Sequence, residues 1–233
     1  MVDRGATPPL WPPGWTVEYV EVTGSTNTDL LATAAERPDR SVRVTGHQTA
    51  GKGRLDRRWD APPGSNLLVS ILFHAVPADP GELTRRVGLA AVDACREVAD
   101  VDVALKWPND LLVGERKLAG ILAERHPSGS VVVGLGLNVG WAPEGAARLG
   151  DGIAPLDVLR ALLAAYDRLP ADVVPRYRAA LGTLGRRVRV ELPDGVVEGM
   201  ATDVESDGRL VVVDTCGMTH RLAAGDVVHL RAV

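Results

Sequence analysis

The segment Gly51-Lys52-Gly53-Arg54-Leu55-Asp56-Arg57-Arg58-Trp59 places four cations among glycines. Glycine lets backbone amides converge, and guanidinium groups beside them add paired donors, so the chemistry such a loop offers is anion binding, phosphate above all. A solvated basic turn has the same composition. It is not a Walker loop, because the spacing Gly-x4-Gly-Lys-Ser/Thr is absent and Gly53 follows Lys52. In Lys106-Trp107-Pro108-Asn109-Asp110, a lysine between apolar Leu105 and Trp107 stands where an ammonium is partly desolvated against an acyl or phosphoryl oxygen. An ordinary strand-end lysine is the competing reading. Asn109 and Asp110 offer oxygen ligands to magnesium, and equally a turn after proline. Gly134-Leu135-Gly136-Leu137-Asn138-Val139-Gly140 lacks the dinucleotide spacing and has no amphipathic helix directly behind it. Alternate glycines on a strand instead admit a flat ring or a neighbouring backbone, leaving Asn138 to hydrogen-bond a ligand. A glycine-relaxed strand end fits the same letters.

These residues need a scaffold, and the rest of the chain specifies one. Residues 15–22 read as a strand, Gly24-Ser25-Thr26-Asn27 as a turn whose hydroxyls cap a helix running to about residue 36, and 41–47 as a second strand. Residues 51–58 read as a long, mobile surface loop, expected to be disordered or displaced without ligand. Residues 66–74 are β-like, and apolar Leu83, Val87, Ala90, Ala91, Ala94 and Val98 line one face of a helix over 80–98. Strand runs at 104–107, 111–113, 121–124 and 131–136 alternate with turns rather than helices, which favours a mixed or antiparallel sheet. Helices over 156–166 and 171–181 follow, and the pattern changes at 182–185. Beyond residue 186, short β runs broken by Pro193-Asp194-Gly195, Asp207-Gly208 and Gly225-Asp226 predict a small β-barrel. The fold class is therefore α+β, with a Pro-rich segment at 1–14, a catalytic-type domain at 15–183 and a small β domain at 184–233.

Composition narrows the function. Among 233 residues, 26 Lys and Arg face 30 Asp and Glu, a formal charge of −4, so a dedicated nucleic-acid binder is disfavoured. Hydrophobic residues at 45% and charged residues at 24% describe a globular chain. Cys95 and Cys216 cannot form a disulfide framework or a zinc site, and five scattered histidines show no ligand spacing, so a reduced, cytoplasmic setting is expected. No signal peptide or membrane-spanning run is visible, so no membrane partner is expected.

Taken in order, Gly24-Ser25-Thr26-Asn27, Gln48-Thr49-Ala50-Gly51-Lys52-Gly53-Arg54 with Arg58-Trp59, Lys106-Trp107-Pro108-Asn109-Asp110, Lys117-Leu118-Ala119-Gly120-Ile121-Leu122 and Gly136-Leu137-Asn138 closely resemble the biotin protein ligases. The resemblance covers residues 15–181, and the β tail resembles that family's SH3-like carboxy-terminal barrel. It implies a class II synthetase-like catalytic domain that uses ATP and magnesium to convert biotin to biotinyl-5′-AMP and then biotinylates one lysine of a biotin carboxyl carrier protein. It implies biotin contacts at Ser25, Thr26, Asn27, Gln48, Lys52, Gly53, Arg54, Lys106, Gly120, Gly134 and Gly136. Nucleotide contacts are implied at Arg54, Arg57, Arg58, Trp59, Asn109, Lys117 and Asn138, catalytic roles for Lys106 and Arg54, and magnesium on Asp110. Two departures stand in the loop: Lys52 replaces the family's first Arg, and Asp56 replaces its internal Gly, removing backbone freedom there. With 24 residues ahead of Ser25, no room is expected for the winged helix that makes some members repressors, and no DNA partner. A lipoyl or octanoyl transferase of the same fold, or a biotin-binding module without catalysis, are the alternatives; the sequence leaves monomer or homodimer open.

Overall fold

The computed structural model describes residues 11–223 and 225–230; most of the Pro-rich segment lies outside them. The first domain contains β1 (Thr16–Thr23), α1 (Thr26–Ala32), β2 (Ser41–Gln48), β3 (Leu67–Phe73), α2 (Gly81–Ala99), β4 (Ala104–Lys106), β5 (Asp110–Val113), β6 (Arg116–Arg125), β7 (Val131–Leu137), α3 (Pro155–Asp167) and α4 (Val174–Ala180). Seven strands form one sheet in the order β1-β2-β3-β7-β6-β5-β4. The β1–β2 pair is parallel and the others are antiparallel, as a mixed sheet requires.

Strand β3, Leu-Leu-Val-Ser-Ile-Leu-Phe, is buried along its whole length because it serves two faces. Leu67, Val69, Ile71 and Phe73 join the large core with Val87, Ala91 and Ala94 of α2 and Leu159 and Leu162 of α3. The alternate Leu72 meets Leu30 and Ala34 near α1, together with Val132 of β7. Two long helices thus cover one face and the short α1 the other, leaving space beside α1 on that second face. Helix α1 stops at Ala32, short of the expected residue 36, and a 3-10 turn spans Ala34–Glu36. Arg37 is already extended (φ −101°, ψ 146°), the conformation Pro38 imposes on the residue before it.

The second domain holds β8 (Arg187–Leu192), β9 (Gly195–Val204), β10 (Leu210–Asp214), β11 (Thr219–Leu222) and β12 (Asp226–His229), antiparallel in the order β11-β10-β9-β8-β12. Among the described residues this is an open sheet and not the closed barrel that the turn spacing predicts. Its edge strands β11 and β12 are four residues each and pair only inward, with β10 and β8. The link between them, 223–225, reaches at most about 14 Å, whereas four strand spacings laid flat need about 19 Å, so the sheet curls strongly without closing. Its Val188, Val190, Leu210 and Val212 belong to the same core cluster as α2 and α3.

Polar contacts lock the two sheets together. Buried Arg85 of α2 donates to Asp79 at 2.7 Å and to the Asp207 carbonyl at 3.4 Å, and the Trp107 indole donates to the Gly208 carbonyl at 2.9 Å. Arg178 of α4 donates to the Val204 carbonyl at 2.7 Å. Among the described residues, no helix is long and apolar enough to cross a membrane.

Because α1 rests on a cluster of four buried side chains, Leu30 is its main anchor. Leu30→Ala is expected to lower unfolding free energy by about 2–4 kcal/mol, read from urea denaturation at unchanged m-value.

Candidate active site

A cavity of about 390 Å³ opens on the α1 face of the first sheet, lined by α1, the ends of β2 and β5, the middles of β3, β6 and β7, and segment 52–60. Three glycines make its floor bare. A Cβ at Gly134 would lie 2.2 Å from Asn27 Oδ1, one at Gly136 2.4 Å from Trp59 Cε2, and one at Gly120 3.2 Å from Trp59 Cζ3. The alternate glycines do admit a flat ring, and that ring is the protein's own Trp59; at Gly134 they admit a carboxamide.

At one end the groups are short, neutral and buried. Thr26 donates to Gln48 Oε1 through its backbone N–H at 2.8 Å and its hydroxyl at 3.1 Å. Ser70 Oγ lies 2.7 Å from Thr26 Oγ1 and 2.5 Å from Asn27 Oδ1. Asn27 Nδ2 donates to Glu124 Oε2 at 2.7 Å and to the Leu122 carbonyl at 3.2 Å, which orients its oxygen. Ser70 has one proton for two acceptors, and the Thr26 proton is already on Gln48, so this end is short of donors. Ser25, at the start of α1, makes no side-chain cap bond. The cap expected from its hydroxyl is not formed, and the hydroxyls at 25 and 26 serve the cavity.

The other end is charged. Segment 52–58, expected to be a mobile loop, is a tight hairpin: Lys52 bridges Arg58, Gly53 N–H donates to the Arg57 carbonyl at 2.6 Å, and Arg57 N–H to the Arg54 carbonyl at 3.2 Å. Its central residues Leu55 (φ 54°) and Asp56 (φ 57°) are both left-handed, as a type I′ turn requires. Glycine or asparagine is favoured there, and an L side chain costs about 1–2 kcal/mol per residue, least for Asp. The expected loss of freedom at Asp56 is real, yet the turn forms. Arg54 Nη1 donates to Asn109 Oδ1 at 2.9 Å and the Gly225 carbonyl at 3.3 Å, and Arg57 Nη2 to Asp226 Oδ2 at 2.6 Å. The Asp226 carboxylate holds the Arg57 guanidinium above its usual pKa. Lys52 lies 3.5 Å from Glu124, and Arg58 donates to the Thr49 carbonyl at 3.0 Å.

Between the two ends, Lys117 Nζ lies 2.7 Å from Asp110 Oδ1 and 5.7 Å from the centroid of the Trp59 ring. The Asp110 contact is coulombic rather than a directed hydrogen bond, and the buried Trp59 indole N–H has no acceptor. Asn109 is fixed by its donation to the Ile121 carbonyl at 2.8 Å. Among the described residues no three His, Cys, Asp or Glu gather as a metal cluster. A magnesium ion carried by nucleotide phosphates needs only one or two protein carboxylates, and Asp110, without a directed bond to Oδ1, fits that limited part.

The cavity brings together every expected site residue except Lys106. Lys106 ends edge strand β4 opposite Asp110, in the row that continues to Gly120 and Gly136, but one strand outside the lining. Its charge also bears on His229 of the second domain, whose pKa burial, Arg186 and Lys106 hold low. Asn138 lines the wall, but it is not free: its Nδ2 donates to the Ala147 carbonyl at 2.9 Å and its Oδ1 accepts from Asn66 at 3.3 Å. Ser70, Glu124 and Asp226 were not legible as site residues. A lone serine in an apolar strand was a usable signal for Ser70, and the glutamate closing Gly120-Ile121-Leu122-Ala123-Glu124 was one for Glu124. Asp226 carries no local signal.

Residues 19–140 match the Biotin/lipoate A/B protein ligase family, and residues 183–230 match the Biotin protein ligase C terminal domain. A biotin--[acetyl-CoA-carboxylase] ligase of Mycobacterium tuberculosis is 42% identical over 94% of this chain and 91% of its own. The bifunctional ligase/repressor BirA of Escherichia coli is 27% identical over 85% of this chain and 70% of its own. A biotin protein ligase from Aquifex aeolicus, solved with biotin and ATP, superposes with a TM-score of 0.81 over 93% of this chain and 99% of its own; at 23% identity it speaks to the fold. Likeness that runs through both sheets at 42% identity goes beyond a shared architecture, and this chain belongs to the biotin protein ligase family.

Proposed function

We propose that this protein activates biotin with ATP to biotinyl-5′-AMP and transfers the biotinyl group to a lysine of a biotin carboxyl carrier protein, the carrier part of a carboxylase. One observation carries the reading: a single cavity joins a donor-poor neutral end to a cationic end across a wall of indole. Biotin has that polarity, with ureido N–H donors at its ring and a carboxylate at the end of its chain.

The ureido ring sits against Thr26, Asn27, Ser70 and Gln48, whose oxygens take its N–H groups, while Ser25 donates to the ureido oxygen. The carboxylate attacks the α-phosphorus of ATP, forming a P–O bond as the bond to the β-phosphate oxygen breaks and pyrophosphate leaves. No protein nucleophile is needed, so the residues position and neutralise. Lys117 stands between the ends and holds the carboxylate and α-phosphate oxygens together, the role the sequence reading gives to Lys106, which pairs with Asp110 one strand further out. Arg54, Arg57, Arg58 and Lys52 receive phosphate oxygens, and Trp59 separates ring from nucleotide. Magnesium, when bound with Asp110 among its ligands, offsets phosphate charge. In the second step the carrier lysine amine attacks the mixed anhydride carbonyl, the C–O bond to AMP breaks, and the amide remains. Exposed, free Cys216 supports a reducing, cytoplasmic setting.

Incubation with biotin, ATP, magnesium and a carrier domain is expected to label the carrier; no labelling beside an active control, or preference for lipoate, would reject the reading. Lys117→Ala is expected to slow adenylate formation by ~10²-fold and Lys106→Ala by less than about threefold. The reverse order in pyrophosphate-release assays would return the role to Lys106. Gly134→Ala, which evicts the Asn27 carboxamide, should weaken biotin binding about tenfold by calorimetry, the scale of one well-placed hydrogen bond.

A further inference from the structure

The hairpin 52–58 has little of its own to hold it. Three backbone hydrogen bonds, donated by Gly53, Arg57 and Trp59, close it, but both central turn residues are left-handed without being glycine, and Leu55 at its tip is 69% exposed. Its shape therefore depends on contacts made elsewhere. Asn109 and Glu124 supply two from the first sheet, and Gly225 and Asp226 supply two from the second domain, 171 and 169 residues away from their partners.

The second pair is built in. Asp226 opens β12 in register with Glu191 of β8, so its place is set by the second sheet. Gly225 has φ +157°, and a Cβ there would lie 2.5 Å from Val190 Cγ1, so glycine alone presents this carbonyl to Arg54.

We propose that Asp226, with the Gly225 carbonyl, is a positioning pair by which the second domain ties the cationic hairpin down over the cavity. Neither group touches the reacting atoms. They act through Arg57 and Arg54, so closure of the hairpin and docking of the second sheet are one event, and the strained turn reopens the hairpin when the tie is cut. A closed hairpin keeps water from the mixed anhydride, which makes adenylate retention the functional readout. That readout rests on the ligase reading; the physical tie does not.

The test uses the full chain, with trypsin, which cleaves after Lys52, Arg54, Arg57 and Arg58, as reporter of hairpin opening. Asp226→Asn keeps the shape and removes the charge. Because the Arg57–Asp226 pair is partly exposed, cleavage within 52–58 is expected to rise about two- to fivefold at unchanged melting temperature. Adding Leu55→Asn and Asp56→Gly, the turn residues this backbone favours, should bring cleavage back to within about 1.5-fold of the parent without restoring any contact to residue 226. In turnover, Asp226→Asn should raise the biotinyl-adenylate hydrolysed per carrier labelled by a similar two- to fivefold. Unchanged cleavage, or a rise that the new turn leaves in place, overturns the proposal. If the parent labels no carrier, the ligase reading fails and the cleavage arm alone decides the tie.

Discussion

Side chains are missing from three positions on adjacent strands, and the site exists because of it. Any residue larger than glycine at 134 or 136 would place a Cβ within 2.4 Å of Asn27 or Trp59. Asn27 and Trp59 belong to segments on opposite sides of the cavity, and the bare strip of β6 and β7 lets both lie against the sheet. Glycine within a strand costs about 0.5–1 kcal/mol in chain entropy, and β7 carries two. Val131, Val132 and Val133, all buried earlier in the same strand, offset this by packing on both faces. The strand is thus divided: its first half holds the fold and its second half is given over to the site.

Charge follows a similar division. The chain totals −4, yet Lys52, Arg54, Arg57, Arg58 and Lys117 converge on one cavity. Within the structure four of them face carboxylates: Glu124, Asp226, Asp60 and Asp110. Partly exposed pairs of this kind contribute about 0.2–1 kcal/mol each, so they are cheap to exchange. An arriving triphosphate offers more negative charge than any one partner and draws Lys52, Arg58 and Lys117 from theirs without a large cost, while Arg57, with five N–H donors, serves phosphate and Asp226 together. The same carboxylates keep the cavity's field local, within a chain whose formal net charge is −4.

Much of the scaffold was legible because each signal is local. Leu68-Ser70-Leu72 against Leu67-Val69-Ile71-Phe73 is a period of two, and Leu83-Val87-Ala90-Ala94 a period near 3.6; both appear where the pattern puts them. The site motifs, short runs at strand ends and turns, each left a bland reading open on their letters alone, and were legible only through their ordered resemblance to the biotin protein ligases. The hairpin was not: its flanks carry no apolar alternation, and Leu55-Asp56 is a poor I′ turn by composition. The carboxy-terminal barrel was overread, because turn spacing gives strand number and pairing but not whether two four-residue edges meet.

Lys106 and Asp226 show the limit from opposite directions. Lys106 has the surroundings of a catalytic lysine in sequence, between Leu105 and Trp107, but β4 is an edge strand, so the row it belongs to lines the cavity at Asp110, Gly120 and Gly136, with Lys106 one strand further out. Asp226 looks like half of a Gly-Asp turn, and becomes a site residue only because β12 pairs with β8 and that sheet packs beside Arg85, Trp107 and Arg178. Neither position follows from neighbours in the chain. Each is set by strand order, a property of the whole sheet, and strand order decides which of two residues with the right chemistry reaches the cavity.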